Sequence, residues 1–373
     1  MKTKVIYAKQ LKNEKQLADR LEESANCLAR GGLVAFPTET VYGLGADALN
    51  ETAAAKIYAA KGRPSDNPLI VHIANVEDMK NLAYVNKKAV ILAHAFWPGP
   101  LTIILPKKNI VPRETTGGLD TVAIRMPSHP AALSLIRNSG VYIAAPSANL
   151  SGRPSPTKAE HVLEDMNGKV EYIIDGGPVG IGIESTILDV TGEIPVILRP
   201  GFITKRMLEE VIGDVVMDPA LEEVNDNLRP RAPGMKYTHY APKGELTLVE
   251  SDEADSVRGN SVKEDSGMTQ GDLPRVVNRI RELAQEKRKC GHIVGIMASE
   301  ETVSLYKDCA DVIICVGKRR NQDTVAAGLY SALRDFDTAG AEYIYAESFR
   351  GEGLSYAIMN RLLKAAGHRI VRI

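Results

Sequence analysis

Long hydrophobic runs are missing from this sequence: no stretch comes near the roughly 18 consecutive apolar residues of a membrane span. An excess of charge of either sign is missing too. Lysine plus arginine (46) nearly cancels aspartate plus glutamate (47), for a formal charge of -1. A broad polyanion-binding face is therefore not expected, though a local basic pocket is compatible with that balance. Aromatic residues make up only 5%, which disfavours an extended base-stacking surface. The four cysteines (Cys27, Cys290, Cys309, Cys315) show neither CxxC spacing nor a disulfide framework and read as reduced core thiols. The lysine-rich stretch Met1 to Leu11 leads into no apolar run, so no signal peptide is read and a cytoplasmic protein is expected.

Nucleotide and metal signatures are scarce as well. There is no GxxxxGK[ST], so any ATP site is not a Walker-type loop. Gly43-Leu44-Gly45-Ala46-Asp47-Ala48 resembles a dinucleotide fingerprint, but Thr38-Glu39-Thr40 intervenes after the preceding strand and no acidic ribose ligand follows at the usual distance. These glycines read instead as a tight loop packing on the next helix. The seven histidines are scattered without zincin spacing, so no metal site is expected.

At 373 residues, two domains are expected. Residues 1–210 alternate short apolar runs with helical patterns: strands around 33–36, 68–73, 101–105, 122–125, 141–145, 172–175 and 185–190, and helices over 51–61, 89–96, 131–138 and 158–166. That interleaving predicts an α/β domain with a mixed sheet, since some connections are short. Residues 211–244, rich in proline and tyrosine, read as a linker. Residues 245–373 show strands at 246–249, 293–297, 312–316 and 343–346, with helices over 273–287, 324–337 and 356–366, the rhythm of a smaller doubly wound parallel sheet. The acidic stretch 250–272 reads as a loose insertion.

Polar residues gather at strand ends. Lys61-Gly62-Arg63-Pro64 closes a helix; it could merely complement the helix dipole, or its rigid turn could clamp phosphates. Asn67-Pro68 follows it. His72 interrupts the buried-looking run Leu69-Ile70-Val71-His72-Ile73, where a core histidine bonded to backbone is an even alternative. Arg125 ends the apolar strand Val122-Ala123-Ile124 and demands an anionic partner, either a buried carboxylate of the protein or one of a substrate. Ala144-Ala145-Pro146-Ser147-Ala148-Asn149 offers small residues and then two hydrogen-bonding side chains, which a capping role would also explain. Glu184-Ser185-Thr186 follows a glycine-rich loop, and Arg199 precedes a turn.

Taken in order, Pro37-Thr38-Glu39-Thr40-Val41-Tyr42-Gly43-Leu44, Lys61-x-Arg63, Asn67-Pro68-Leu69, Thr121-Val122-Ala123-Ile124-Arg125, Pro146-Ser147-Ala148-Asn149 and Glu184-Ser185-Thr186 resemble the threonylcarbamoyl-AMP synthase family with its YrdC-like domain. Ala232 to Pro242 and Gly351 to Arg361 resemble the linker and C-terminal signature of the two-domain form. The resemblance implies a twisted mixed-sheet catalytic domain with a concave active site, a linker over it and a Rossmann-like C-terminal domain. It implies that threonine and bicarbonate or carbon dioxide form N-carboxythreonine, which attacks the α-phosphate of ATP and releases pyrophosphate. It further implies a catalytic tetrad of Lys61, Arg63, Ser147 and Asn149. Threonine would be held by Thr38, His72, Arg125, Ala145 and Ser185, and ATP by Lys61, Arg63, Asn67, Thr121, Ser147, Ser155, Arg199 and, from the linker, Tyr237. Mg²⁺ would arrive with ATP rather than in a dedicated protein site. The product would pass to a separate tRNA threonylcarbamoyl-transfer complex for modification of ANN-decoding tRNAs. Rival readings are a non-catalytic RNA-binding module, and a carbamoyl-adenylate enzyme whose zinc-finger and acylphosphatase-like segments this chain lacks.

Overall fold

A computed structural model describes residues 2–11, 13–221, 231–233, 239–251, 272–351 and 353–373. Two compact units emerge, residues 1–151 with 155–237, and residues 152–154 with 238–373. The strands are β1 (Lys4–Tyr7), β2 (Val34–Phe36), β3 (Gly43–Asp47), β4 (Ile70–His72), β5 (Leu101–Pro106), β6 (Thr121–Arg125), β7 (Ile143–Ala145), β8 (Tyr172–Asp175), β9 (Thr186–Asp189), β10 (Val196–Arg199), β11 (Val216–Met217), β12 (Glu245–Glu250), β13 (Val294–Ser299), β14 (Val312–Gly317), β15 (Tyr343–Glu347) and β16 (Ile370–Arg372). The helices are α1 (Glu14–Ala29), α2 (Glu51–Lys61), α3 (Met79–Leu82), α4 (Lys87–Phe96), α5 (Pro130–Ser139), α6 (Ala159–Met166), α7 (Lys205–Ile212), α8 (Asp272–Lys289), α9 (Gln322–Ala339) and α10 (Leu354–Ala365).

Among the described residues, the first unit builds an 11-stranded sheet in the order β1-β8-β2-β3-β7-β4-β6-β5-β9-β10-β11. It is mixed, as the short connections required: β4 runs parallel to β6 but antiparallel to β7, and β5 is antiparallel to β6. Side chains of a strand alternate between faces. Leu69, Val71, Val122, Ile124 and Ala144 therefore enter the main core with α2, α4 and α6 residues. Ile70 and Ala123, one residue out of step, join Ile104, Ile187 and Leu198 on the opposite face. The first unit also runs further than the expected boundary at 210: α7 ends at Ile212, and β11 pairs with β10.

Strand β3 was not legible. Gly43 to Asp47 is not a loop; it is β3, antiparallel to both β2 and β7. A Cβ on Gly45 would stand 2.7 Å from Ile143 Cγ2 and 2.9 Å from Phe36 Cε1. The glycine is there because a strand neighbour and a buried ring occupy the space a side chain would need.

Among its described residues, the second unit builds an all-parallel five-stranded sheet, β14-β13-β15-β12-β16. Its own core brings α8 onto β12, β13 and β15. At the carboxyl ends of β13 and β15, where connections leave in opposite directions, the fully buried Glu347 is enclosed by Ser299 Oγ at 3.0 Å, Tyr306 Oη at 2.9 Å, Thr302 and Arg319. Cys27 and Cys309 are buried free thiols, whereas Cys290 and Cys315 are exposed, contrary to a reading of all four as core residues.

Candidate functional site

Period-two alternation decides where the singled-out strand residues go. His72 lies two residues after Ile70, and Thr121 and Arg125 flank Ala123 at the same spacing, so all belong to the face opposite the main core. Ala145 is the register partner of Ile70, and His72 of both Arg125 and Ile143. Arg125 and His72 thus mark one end of this face. Thr121 stands at the other end, about 13 Å away at the usual rise of about 3.3 Å per residue.

The opening turn ties the surrounding loops together. Thr38 Oγ1 donates to Val41 O (2.6 Å) and receives the N–H of Thr40 and of Val41, so the hydroxyl shapes its own turn. Glu39 O and Thr40 O accept from Ile181 N and Gly182 N, while Ala148 N donates to Tyr42 O. Tyr42 Oη donates to Gly177 O at 2.6 Å, and burial pushes this phenol up. Sequence-distant loops thereby meet at one turn.

Arg125 is buried, and its Nη2 lies 2.6 Å from Glu39 Oε1. The second Glu39 oxygen accepts from Ser128 N at 3.1 Å. Burial alone would raise the Glu39 carboxyl, but the Arg125 charge and these hydrogen bonds outweigh it and hold the group below its ordinary value. Of the two anions the sequence allowed for Arg125, the protein supplies one. Arg125 Nε, also buried, has no hydrogen-bond partner. His72 Nδ1 donates to Ile70 O at 3.0 Å, its ring edge-on to Phe36. Burial, then the Arg125 charge, push His72 down to about 3, so it is neutral at pH 7. The backbone-bonded alternative for His72 and its place beside Arg125 hold together.

At the far end, α2 stops because Gly62 takes the left-handed conformation (φ 62°), sending Arg63 N back to Tyr58 O at 3.0 Å. Lys61 Nζ donates to Asn149 O at 2.5 Å and to Ser147 O, and Ser147 Oγ donates to Asn149 Oδ1 at 2.5 Å. Lys61, Ser147 and Asn149 of the expected tetrad are therefore in direct contact. Neither Ser147 nor Asn149 caps a helix. Arg63 donates to Asn67 O (3.4 Å) and Pro68 O (3.2 Å). Asn67 is buried with Oδ1 unpartnered, an acceptor available to a ligand amine.

Toward β9 and β10, Arg199 grips Ser185 through Nε to the carbonyl (3.0 Å) and Nη2 to the hydroxyl (3.1 Å), and reaches Pro233 O at 3.3 Å. Ser185 Oγ also lies 2.8 Å from Thr102 Oγ1. Ser155 Oγ donates to Glu184 Oε1 at 2.6 Å. Ala232 packs on Ile70 and Ala123, so this stretch of the chain covers part of the same face. Tyr237 lies outside the described residues. Sequence reasoning missed Glu39, Thr102 and Glu184 as partners. Each sat inside a quoted or neighbouring run, but only the strand order reveals whom it meets.

Among the described residues, no group of three or more histidine, cysteine, aspartate or glutamate side chains could hold a metal ion, and no helix is long and apolar enough to cross a membrane. Fold and face together define a two-unit α/β protein whose mixed-sheet unit presents a paired arginine at one end and a lysine-serine-asparagine cluster at the other. Comparison with known proteins makes this class specific. Residues 26–201 match the family described as Telomere recombination, and residues 203–367 match the threonylcarbamoyl-AMP synthase C-terminal domain. A threonylcarbamoyl-AMP synthase of Bacillus subtilis is 50% identical over 362 residues, 96% of this chain and 95% of the relative. One from Pyrococcus abyssi is 46% identical over 95% of this chain and 98% of its own. A crystal structure of P. abyssi Sua5 complexed with L-threonine superposes with a TM-score of 0.87 at 44% identity, covering 99% of both chains. The chain belongs to the threonylcarbamoyl-AMP synthase family.

Proposed function

We propose that the protein is an L-threonylcarbamoyladenylate synthase, a nucleotidyltransferase that condenses L-threonine, bicarbonate or carbon dioxide, and ATP to threonylcarbamoyl-AMP and pyrophosphate. The observation that carries the reading is the arrangement of the ordered motifs along one sheet face, with buried Arg125 at one end and Lys61 bonded to the Ser147-to-Asn149 loop at the other. Arg125 offers a buried Nε to the threonine carboxylate. His72 is the register partner of Arg125, and Thr38, Ala145 and Ser185 complete the threonine set in this reading.

Lys61, Arg63, Asn67, Thr121, Ser147, Ser155, Arg199 and Tyr237 take ATP, supplied with Mg²⁺ as the substrate complex. The neutral threonine amine bonds to the carbon of carbon dioxide as one C=O π bond opens and the nitrogen gives up a proton, or to the carbon of bicarbonate as water leaves, giving N-carboxythreonine. A carboxylate oxygen of that species then bonds to the α-phosphorus as the bond to pyrophosphate breaks. No protein nucleophile is needed. The side chains orient the two reactants in line, and Lys61 and Arg63 offset charge developing on the departing pyrophosphate. The product then serves a tRNA threonylcarbamoyl-transfer complex.

Incubation with ATP, Mg²⁺ and bicarbonate should release pyrophosphate and accumulate the adenylate only when threonine is added. Salt-sensitive RNA binding without threonine-dependent turnover would instead favour the RNA-binding reading.

A further inference from the structure

Glu39 has no part in the scheme above, yet it is fixed at the threonine end of the face. Its two oxygens are held separately, one by Arg125 at 2.6 Å and one by Ser128 N at 3.1 Å. Both ionic side chains are largely buried, with relative exposures of 5% and 14%. The other titratable groups facing the pair add no net charge at neutral pH. His72 on β4 is neutral, and burial likewise lowers His129 at the start of α5. Arg199 on β10 donates to the neutral Ser185 and Pro233 and keeps its charge, and the buried Glu184 beside Ser185 carries the opposite formal charge. Arg125 and Glu39 therefore cancel.

A buried charge without compensation is costly. A plain carboxylate entering beside this pair would leave the pocket with one uncompensated negative charge. An α-amino acid brings carboxylate and ammonium together and leaves it neutral. The Arg125 Nε, buried and without a partner, remains for the incoming carboxylate, while Glu39 stands as the counter-charge for the ammonium. We propose that Glu39 is a specificity-determining residue: fixed against Arg125, its carboxylate makes the pocket electrically neutral and so selects a zwitterionic α-amino acid over a hydroxy acid of the same shape. This inference rests on the threonine reading of the site.

The test compares calorimetric binding of L-threonine with that of its 2-hydroxy analogue, 2,3-dihydroxybutanoate, in which a hydroxyl replaces the amine. Wild-type protein should favour threonine by about a hundredfold or more, as polar sites do against analogues lacking a paired group. Glu39→Gln, of the same size but uncharged, should shrink that ratio about tenfold or more, and Glu39→Asp, which keeps the charge, should restore most of it. A hydroxy acid bound within about threefold of threonine by wild type overturns the proposal without any variant having to fold. So does a Glu39→Gln protein whose ratio is unchanged, or one in which both ligands weaken equally, since that is a merely structural role. If wild type bound no threonine at all, the underlying functional reading would fall instead.

Discussion

Arg125 and Glu39 are a buried ion pair, and such a pair reports differently when one member is removed than when it is intact. Truncating Arg125 strands the Glu39 carboxylate away from water, so Arg125→Ala should destabilise the first unit by about 3–5 kcal/mol in chemical denaturation. The same change removes a charge-assisted donor, and calorimetry should show threonine affinity falling about tenfold or more while ATP affinity holds. Equal losses for both ligands would argue that the face had collapsed. His72 gives a pH signature of definite sign. Its folded value of about 3 lies below its ordinary 6.5, so the unfolded chain binds the extra proton between those values. Stability should therefore be full above pH 6.5 and decline as pH falls toward 3. His72→Gln should lose less stability than wild type between pH 7 and pH 5, measured by urea denaturation at each pH. That difference isolates His72 from His129 and His368, which burial lowers in the same direction. At this scale the sequence showed the need but not the partner. An arginine closing an apolar strand requires an anion, yet Glu39 is 86 positions away, and no periodicity links the two.

Elements with strong local signals were the legible ones. Helix α2 carries Asn50 as N-cap and Gly62 in the left-handed conformation as C-cap, and the expected span 51–61 matches it. Strand β3 shows the opposite case. Its GLGAD sequence has the composition of a turn, and only the close approach of Phe36 and Ile143 explains the glycine at 45. Strand β1 and helix α1 also went unread, being short or polar enough for tertiary pairing to decide them. Gly45→Ala should accordingly cost about 1–3 kcal/mol, the usual penalty for overpacking, seen as a lower urea midpoint at unchanged slope. A midpoint equal to wild type would mean that Ile143 and Phe36 move aside freely.

Across the whole molecule, each unit has a core of its own, the first around β2 to β10 and the second around β12 to β15. Unfolding should then depart from a single two-state transition, with the calorimetric enthalpy exceeding the van't Hoff value. The chain has one tryptophan, Trp97, buried in the first unit's core with Nε1 bonded to Leu101 O at 2.7 Å. Its fluorescence therefore follows that unit alone. Threonine with ATP should raise the fluorescence midpoint by the mass-action shift expected of ligands that bind only the folded state, and leave the second calorimetric transition in place. A shift of both transitions together would show that the units unfold as one. The two-domain division was readable from alternating strand and helix patterns. The end of the first unit was not, because β11 is two residues long and becomes a strand only beside β10.

The alternation that puts Thr121, Ala123 and Arg125 on one face and Val122 and Ile124 on the other has a consequence for how such a chain can vary over time. Point substitutions alter one face at a time, and apolar exchanges of equal volume on the core side leave the ligand side untouched. Loss or gain of a single codon within β6 would instead turn Arg125 into the core and expose Ile124. Within β4 it would do the same to His72 and Val71. Descendants of this sequence should thus differ in length at the rims and turns, while the distance in residues from Thr121 to Arg125 stays fixed.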